Sequence, residues 1–250
     1  MEIPTDHPRK ESLEARQKLV KAYKKGIVAE EGLIAHGRGE AFDYLLGEKT
    51  VSQAAEAMRV ACKEISKSQT PVLSVNGNTA ALVPREIAML SQLTSIQVEV
   101  NLFHHSQKRV RLIINHLENF GAEGVLGMGR DSRIEGLSHD RGMVCREGIY
   151  SADTVIVPLE DGDRTEKLKE IGKKVISIDL NPLSRTSRMA DISIVDNIMR
   201  CLPIIVEILE KENRERCCKI KNHDLPESFD NKENLKVIEE KMRSGIFEDK

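Results

Sequence analysis

The sequence predicts an α/β protein: a Rossmann-like, doubly wound and mostly parallel sheet with an N-terminal helical region and a C-terminal helix. Three observations carry this expectation. From Pro71 onward, short runs rich in Val and Ile alternate with helical stretches, as in parallel strands joined by crossover helices. Before Pro71 the apolar residues keep helical spacing only. Polar segments bearing glycine, arginine or carboxylates follow the apolar runs, where open α/β sheets bind their ligands. The expected organisation is a helical region at 1–70 packed on the core, a nucleotide-binding core at 71–212, and a charged extension with a helix at 213–250.

The first helical segment runs from about Pro8 to Lys25, with Asp6 as its cap and Gly26 at its exit. Its apolar stripe is Leu13, Leu19, Val20 and Tyr23, and Arg16 falls inside that stripe. Such an arginine either pairs with an internal glutamate or binds an anion, because an unpaired buried charge is very costly. Next, Gly37 and Gly39 flank Arg38, and a short helical pattern follows. The expectation is a glycine turn at a helix start, either an ordinary tight turn or an anion cradle. The third helix opens on a capping box, Thr50-x-x-Gln53. Val51, Ala54, Ala55, Met58, Ala61, Cys62 and Ile65 form its stripe. Its alanines suit close packing, in the core or across a dimer.

Strands are expected at Val72–Val75, Ile96–Val100, Gly124–Gly127, Thr154–Val157, Val175–Ile178 and Ile192–Val195, with helices near 79–92, 106–119, 164–173 and 197–211. The strand ends supply the candidate ligands. Asn76, Gly77, Asn78 and Thr79 follow the first run, and His104, His105 and Arg109 follow the second. The connection from Met128 to Ser151 carries Arg130, Arg133, His139, Asp140 and Arg141. Loops this long are commonly functional. Glu160, Asp161 and Asp163 come next. The most informative segment is Asp179-Leu180-Asn181 through Ser187. Asp179 stands where a ribose-binding acid stands at a strand end. Arg185 and Thr186 are donors suited to phosphate, and Asn197 either caps the following helix or touches the ligand. Asn76, Gly77, His104, Arg130, Arg133 and Arg141 are the candidate substrate ligands. No residue is assigned a catalytic role. Lys211–Lys221 reads as a linker, and Asp230-x-x-Glu233 with Leu235, Ile238 and Met242 as a capped terminal helix.

Composition narrows the function. A chain of 250 residues, 40% of them hydrophobic, buries a core without disulfides or a structural metal. No apolar run approaches the roughly 18 residues of a membrane span, and the amino terminus lacks a secretory apolar stretch. Thirty-eight basic against 40 acidic residues, with 3% aromatics, argue against a general nucleic-acid binder. A cytoplasmic address is expected. Cys62, Cys145, Cys201, Cys217 and Cys218 form no CxxC pair, and no residue spacing suggests a metal site.

The segments IVAEEGLIAHGRGEAFDYLLGEKT (27–50), SVNGNTAALVPREI (74–87) and SIDLNPLSRTSRMADI (177–192) resemble the archaeal 4-phosphopantoate–β-alanine ligases, also called phosphopantothenate synthetases. The resemblance extends from ESLEARQKLV (11–20) to FDNKENL (229–235). It implies a cytosolic enzyme of coenzyme A biosynthesis that joins 4-phosphopantoate to β-alanine while ATP is cleaved to AMP and diphosphate. It also implies a Rossmann-like fold and a homodimer. The ATP contacts it implies fall on Arg16, Arg38, Asp179, Leu180, Asn181, Arg185, Thr186 and Asn197. Mg²⁺ is expected to arrive with ATP. The competing reading is a non-catalytic, nucleotide-binding regulatory subunit of Rossmann type.

Overall fold

The computed structural model describes residues 3–218 and 229–245, with 214–218 as backbone only. The side chains of Cys217 and Cys218, and the part of the expected linker beyond Cys218, lie outside what it describes. Five parallel strands form the main sheet, β1 (Pro71–Val75), β2 (Gln97–Val100), β5 (Thr154–Pro158), β6 (Lys174–Ile178) and β7 (Ile192–Ile194). They lie in the order β2-β1-β5-β6-β7. The short β3 (Ser132–Arg133) and β4 (Met143–Val144) pair with each other instead. Every residue of β1, β5 and β7 is buried, as befits strands covered by helices on both faces. The chain reverses its direction of travel between β1 and β5, which makes their carboxyl ends the switch point where such sheets open a crevice.

The expected strand at Gly124–Gly127 reduces to one bridge, Leu126 beside Glu99 on the outer edge of β2. The flanking glycines, Gly124 (φ 60) and Gly127 (φ 140), leave extended geometry at once. The expected helix at 79–92 is two, α4 (Gly77–Leu82) and α5 (Pro84–Leu93). Pro84 has no N–H to continue the first, so it starts the second. Helices α6 (Gln107–Glu118), α7 (Gly162–Glu170) and α9 (Ile198–Cys218) match expectation in place, and α9 continues into the segment read as a linker. A short helix, α8 (Arg185–Met189), was not expected; Ser184 caps it by accepting from Ser187 N–H. The terminal helix α10 (Asn231–Ser244) is capped by Asp230, which accepts from Lys232 and Glu233 N–H, and buries Leu235, Ile238 and Met242.

The amino-terminal helices depart further from their sequence pattern. Helix α1 (Lys10–Lys24) begins after Arg9, without a side-chain cap from Asp6. It buries Ala15, Leu19 and Ala22 and leaves Val20 and Tyr23 exposed. Positions 15, 19 and 22 share one helical face, and the two alanines let α1 sit close to α4. Arg16 is therefore on an exposed flank. Helix α3 (Ser52–Lys67) starts without its capping box, because Thr50 Oγ1 donates to Asp196 (2.6 Å) instead. Its alanine face is covered within the chain, by α9 and β7. Leu19, Ala57, Val75 and Ile176 belong to one apolar cluster.

The largest departure is α2 (Glu30–Leu45), a single helix through Gly32, Gly37 and Gly39. There is no turn at Gly37–Gly39, and the interior N–H groups are spent on the helix itself. Helix α2 crosses the carboxyl edge of the sheet. Asn78 after β1 donates to Gly32 O (2.8 Å), Gly39 approaches Leu180 after β6, and Asn197 after β7 donates to Asp43 (3.0 Å). A Cβ on Gly32 would lie 2.3 Å from Asn78 Oδ1, whereas one on Gly37 meets nothing within 4 Å.

The two glycines therefore answer differently to alanine. Gly37→Ala should stabilise the protein by about 0.5–1 kcal/mol, the ordinary helix gain. Gly32→Ala should destabilise it by about 1–3 kcal/mol through overpacking. Thermal denaturation of the two variants side by side checks both signs.

Candidate active site

The carboxyl end of β5 is gripped from every side. Asn76 caps α4 by accepting from Thr79 N–H (3.0 Å), and its Nδ2 donates to Pro158 O and Leu159 O (both 3.1 Å). Leu159 is held at φ 52, a left-handed conformation costing about 1–2 kcal/mol for a residue with a Cβ. Thr186 Oγ1 donates to Glu160 O (2.7 Å). One amide thus clamps both sides of the switch point, and the strained turn it holds carries Glu160 and Asp161 into the site.

Beneath that turn lies a buried ion cluster. The Glu160 carboxylate contacts Arg141 on one side and Arg164 on the other. Arg164, wholly buried, also donates to Ser74 Oγ in β1 (3.0 Å), while its Nε and Nη2 have no hydrogen-bond partner. Arg141 Nε lies 3.2 Å from Asp161 Oδ2, an ion pair lacking hydrogen-bond alignment. Burial lowers both guanidinium pKa values to about 10, opposed by neighbouring carboxylates. Both remain cationic at neutral pH. Nearby, burial raises the Glu99 carboxyl, which accepts from Cys145 N–H (3.1 Å) and Ile149 N–H (2.7 Å) and so fixes the end of the 128–151 connection.

Above the cluster is a cavity of about 310 Å³. Among the residues proposed from sequence, Arg38, Asn76, Gly77, His104 and Arg141 all line it. Gly77 is required by packing, since a Cβ there would lie 2.3 Å from Ile27 O. Leu102, Phe103 and Leu159 form an apolar wall. Arg109 joins the lining; its Nε donates to Ile27 O (3.1 Å) and burial lowers its pKa. Arg130 and Arg133 are not in the lining. Arg130 pairs with Asp140 and donates to backbone carbonyls, and Arg133 donates to Leu137 O (2.7 Å), so both brace the β3–β4 excursion.

The residues that the resemblance leads one to expect at ATP follow the same carboxyl edge toward β7. Asp179 accepts from Ser184 Oγ (2.6 Å) and Asn181 N–H (3.1 Å). Burial raises its carboxyl pKa, against the pull of those bonds and of the Arg38 charge. Arg38 itself is exposed and makes no ion pair among the described residues. Leu180 is buried beside Gly39, and Arg185 pairs with Glu166 on α7. Asn197 accepts from Met199 N–H (3.0 Å) at the start of α9 and lines a second cavity, of about 400 Å³, with His36 and Glu40. Arg16 pairs with Glu40 at 2.9 Å. Burial would raise Glu40, yet hydrogen bonds from Ser12 and Arg16 hold its carboxyl below the ordinary value.

Sequence spacing marks the segments holding Arg109 and Asp161 but offers no reason to choose them. It gives no sign of Asp43 and Arg200, which join at 2.5 Å under α2 with Asp196 as a second carboxylate. These are long-range pairings between residues of ordinary local pattern. Among the described residues no group of three or more His, Cys, Asp or Glu is placed to hold a metal ion, and no helix is long and apolar enough to cross a membrane.

Replacing Glu160 by Gln leaves two buried guanidiniums without their shared counter-charge. Breaking a buried pair in this way costs about 3–5 kcal/mol. Glu160→Gln should lose that much in denaturant unfolding, far more than Glu166→Gln at the exposed Arg185 pair.

Residues 53–245 match the family described as phosphopantothenate/pantothenate synthetase. A Methanosarcina mazei protein named 4-phosphopantoate–β-alanine ligase is 51% identical over 234 residues, covering 94% of this chain and 91% of that protein. A Thermococcus kodakarensis protein of the same name is 50% identical over 222 residues, covering 87% and 85%. One from Thermococcus onnurineus is 52% identical over 209 residues, covering 83% and 80%. The chain belongs to the phosphopantothenate/pantothenate synthetase family.

Proposed function

We propose that this family member activates 4-phosphopantoate with ATP in the switch-point cavity and transfers the acyl group to β-alanine. The products are 4′-phosphopantothenate, AMP and diphosphate. Membership supplies the reaction class, an ATP-using ligase of coenzyme A biosynthesis acting on 4-phosphopantoate and β-alanine. The non-catalytic reading falls away with it.

One observation carries the placement of the acid substrate: Arg38, Arg109 and Arg141 face a small cavity with an apolar wall of Leu102, Phe103 and Leu159. 4-Phosphopantoate has a phosphate, a carboxylate and a dimethyl-substituted carbon between them. Guanidiniums suit both anions, and the wall suits the methyl groups. His104, Asn76 and Gly77 shape the same chamber; Arg130 and Arg133 support it through the 128–151 connection.

ATP lies on the β6–β7 side in this reading. Asp179, with Leu180 and Asn181, addresses the nucleoside; Arg185, Thr186 and Asn197 flank it. Arg16 and Arg38 supply positive charge for the phosphates. Mg²⁺ enters on the triphosphate, since among the described residues no group of three or more His, Cys, Asp or Glu is placed to hold it. A carboxylate is a poor acyl donor because its leaving group is an oxide. Its oxygen attacks the α-phosphorus and expels diphosphate. The β-alanine ammonium gives up a proton to solvent, the free amine attacks the acyl carbon, AMP leaves with the C–O electron pair, and the nitrogen loses a second proton as the amide forms. Charge grows on phosphoryl and acyl oxygens in both steps, where fixed guanidiniums stabilise it.

A homodimer is part of the same proposal. The α3 alanine face is occupied, but Val20 and Tyr23 on α1 and Leu112 on α6 are exposed apolar side chains that a second copy could cover. Sedimentation should give twice 28.1 kDa, and Tyr23→Glu should shift the protein toward the monomer if this face is the interface.

The chemistry is tested by isotope exchange between ATP and diphosphate. Exchange should require 4-phosphopantoate but not β-alanine; formation of ADP and orthophosphate would overturn the adenylate route. Arg38→Ala should lower kcat/KM about 100-fold, corresponding to roughly 3 kcal/mol of lost charge stabilisation, with the melting temperature unchanged because Arg38 is exposed and unpaired. Arg16→Ala should weaken ATP while changing stability by no more than about 1 kcal/mol.

A further inference from the structure

We propose that Asp161 is the residue that selects the amine substrate, by binding the ammonium group of β-alanine in the switch-point cavity. This rests on the placement of the reaction given above and adds to it a residue for the second substrate. The amine is a cation at one end and an anion at the other. The arginines and His104 that line the cavity provide for anions. Only a carboxylate recognises the opposite end by charge, and two line the cavity, Glu31 and Asp161. Glu31 is exposed in the first turn of α2, where water and the helix N-terminus already satisfy its charge.

Asp161 is different in three respects. It follows the strained Leu159 turn, so its backbone is fixed by Asn76, Thr186 and the Glu160 cluster. It is the N-cap residue of α7 yet makes no side-chain cap bond, giving up about 1 kcal/mol that an aspartate there ordinarily contributes. Arg164 N–H instead bonds to Asp163 Oδ1 (2.9 Å). Finally, neither carboxylate oxygen of Asp161 accepts a hydrogen bond among the described residues. Its Oδ2 is buried against Arg141 Nε at 3.2 Å without alignment, while the side chain as a whole is 40% exposed. The exposed part is therefore the Oδ1 edge. An ionised carboxylate has about four lone-pair sites, and an ammonium group brings three N–H donors to fill them. Arg141 holds the carboxylate in place, and Asp161 receives the ammonium group beside the acyl group carried by the acid substrate.

Asp161→Asn tests this, with Asp161→Ser as a second variant that restores a capping side chain. Losing a charge-assisted contact should raise the β-alanine KM by about 10- to 100-fold, with the KM values for ATP and 4-phosphopantoate changing no more than about threefold. Hydroxylamine, largely uncharged near neutral pH, replaces β-alanine as the nucleophile in a parallel assay that reads hydroxamate. The ratio of β-alanine to hydroxylamine turnover should fall by the same factor in both variants, and that ratio is independent of how much protein is folded. An unchanged ratio with unchanged β-alanine KM overturns the assignment. So does an equal rise in all three KM values, which marks Asp161 as merely the partner of Arg141. If the wild-type protein forms no hydroxamate, the adenylate reading fails, and the β-alanine KM still decides the role of Asp161.

Discussion

A single carboxylate buried between two guanidiniums organises this molecule. Glu160 lies in the turn after β5, Arg164 comes from α7 and reaches Ser74 in β1, and Arg141 comes from the long connection before β5. Four parts of the chain therefore meet at one charge cluster under the switch point. Removing such ions from water costs several kcal/mol each, and two donors of Arg164 remain unpaired. The cluster is a poor device for stability alone. What it supplies is position, because an arginine locked from beneath presents a fixed face to the cavity above. Preorganised charge is what a reaction developing negative oxygen needs.

The second constraint is steric. Helix α2 must lie against the carboxyl edge closely enough to roof the crevice, and Gly32 allows this where no side chain fits. Helical glycine costs about 1 kcal/mol relative to alanine. Helix α2 carries three interior glycines across its length, and its far end is secured by the Asp43–Arg200 pair. The helix is weak by composition and strong by attachment, with Arg38 between its fixed points.

Much of this was legible in the sequence. The alternation of apolar runs and helices located the parallel strands, and the rule that ligands gather at strand ends brought Asn76, Gly77, His104 and Arg141 to one cavity. The failures were local signals overruled by tertiary contacts. The Gly37-Arg38-Gly39 triplet resembles a turn, yet it runs on as helix between an attachment at Gly32, held by Asn78, and the approach of Gly39 to Leu180. Thr50 has a capping sequence, yet its hydroxyl is taken by Asp196. The apolar spacing on α1 finds the buried Leu19, yet Val20 and Tyr23 are exposed and the small Ala15 and Ala22 are buried in their place. Arg109 and Asp161 stand in segments that the strand ends mark, but nothing local sets them apart from their neighbours; only the fold brings them to the crevice.

The positive charges along the carboxyl edge divide into two kinds, and the division suits a ligase with one small acid and one nucleotide. Near the switch point, Arg141 and Arg109 are largely buried and already held by carboxylates or carbonyls. Such groups move little and hold a small substrate in one geometry, where misplacement is costly for rate. Toward β7, Arg16 and Arg185 are exposed and paired with Glu40 and Glu166, and Arg38 is unpaired. Exposed pairs are worth about 1 kcal/mol or less, so an arriving polyphosphate can displace them readily and depart as easily. A substrate that enters as a triphosphate and leaves as two products needs contacts that re-form at little cost. In the proposed placement the acid substrate needs the opposite, which the buried cluster around Glu160 would supply.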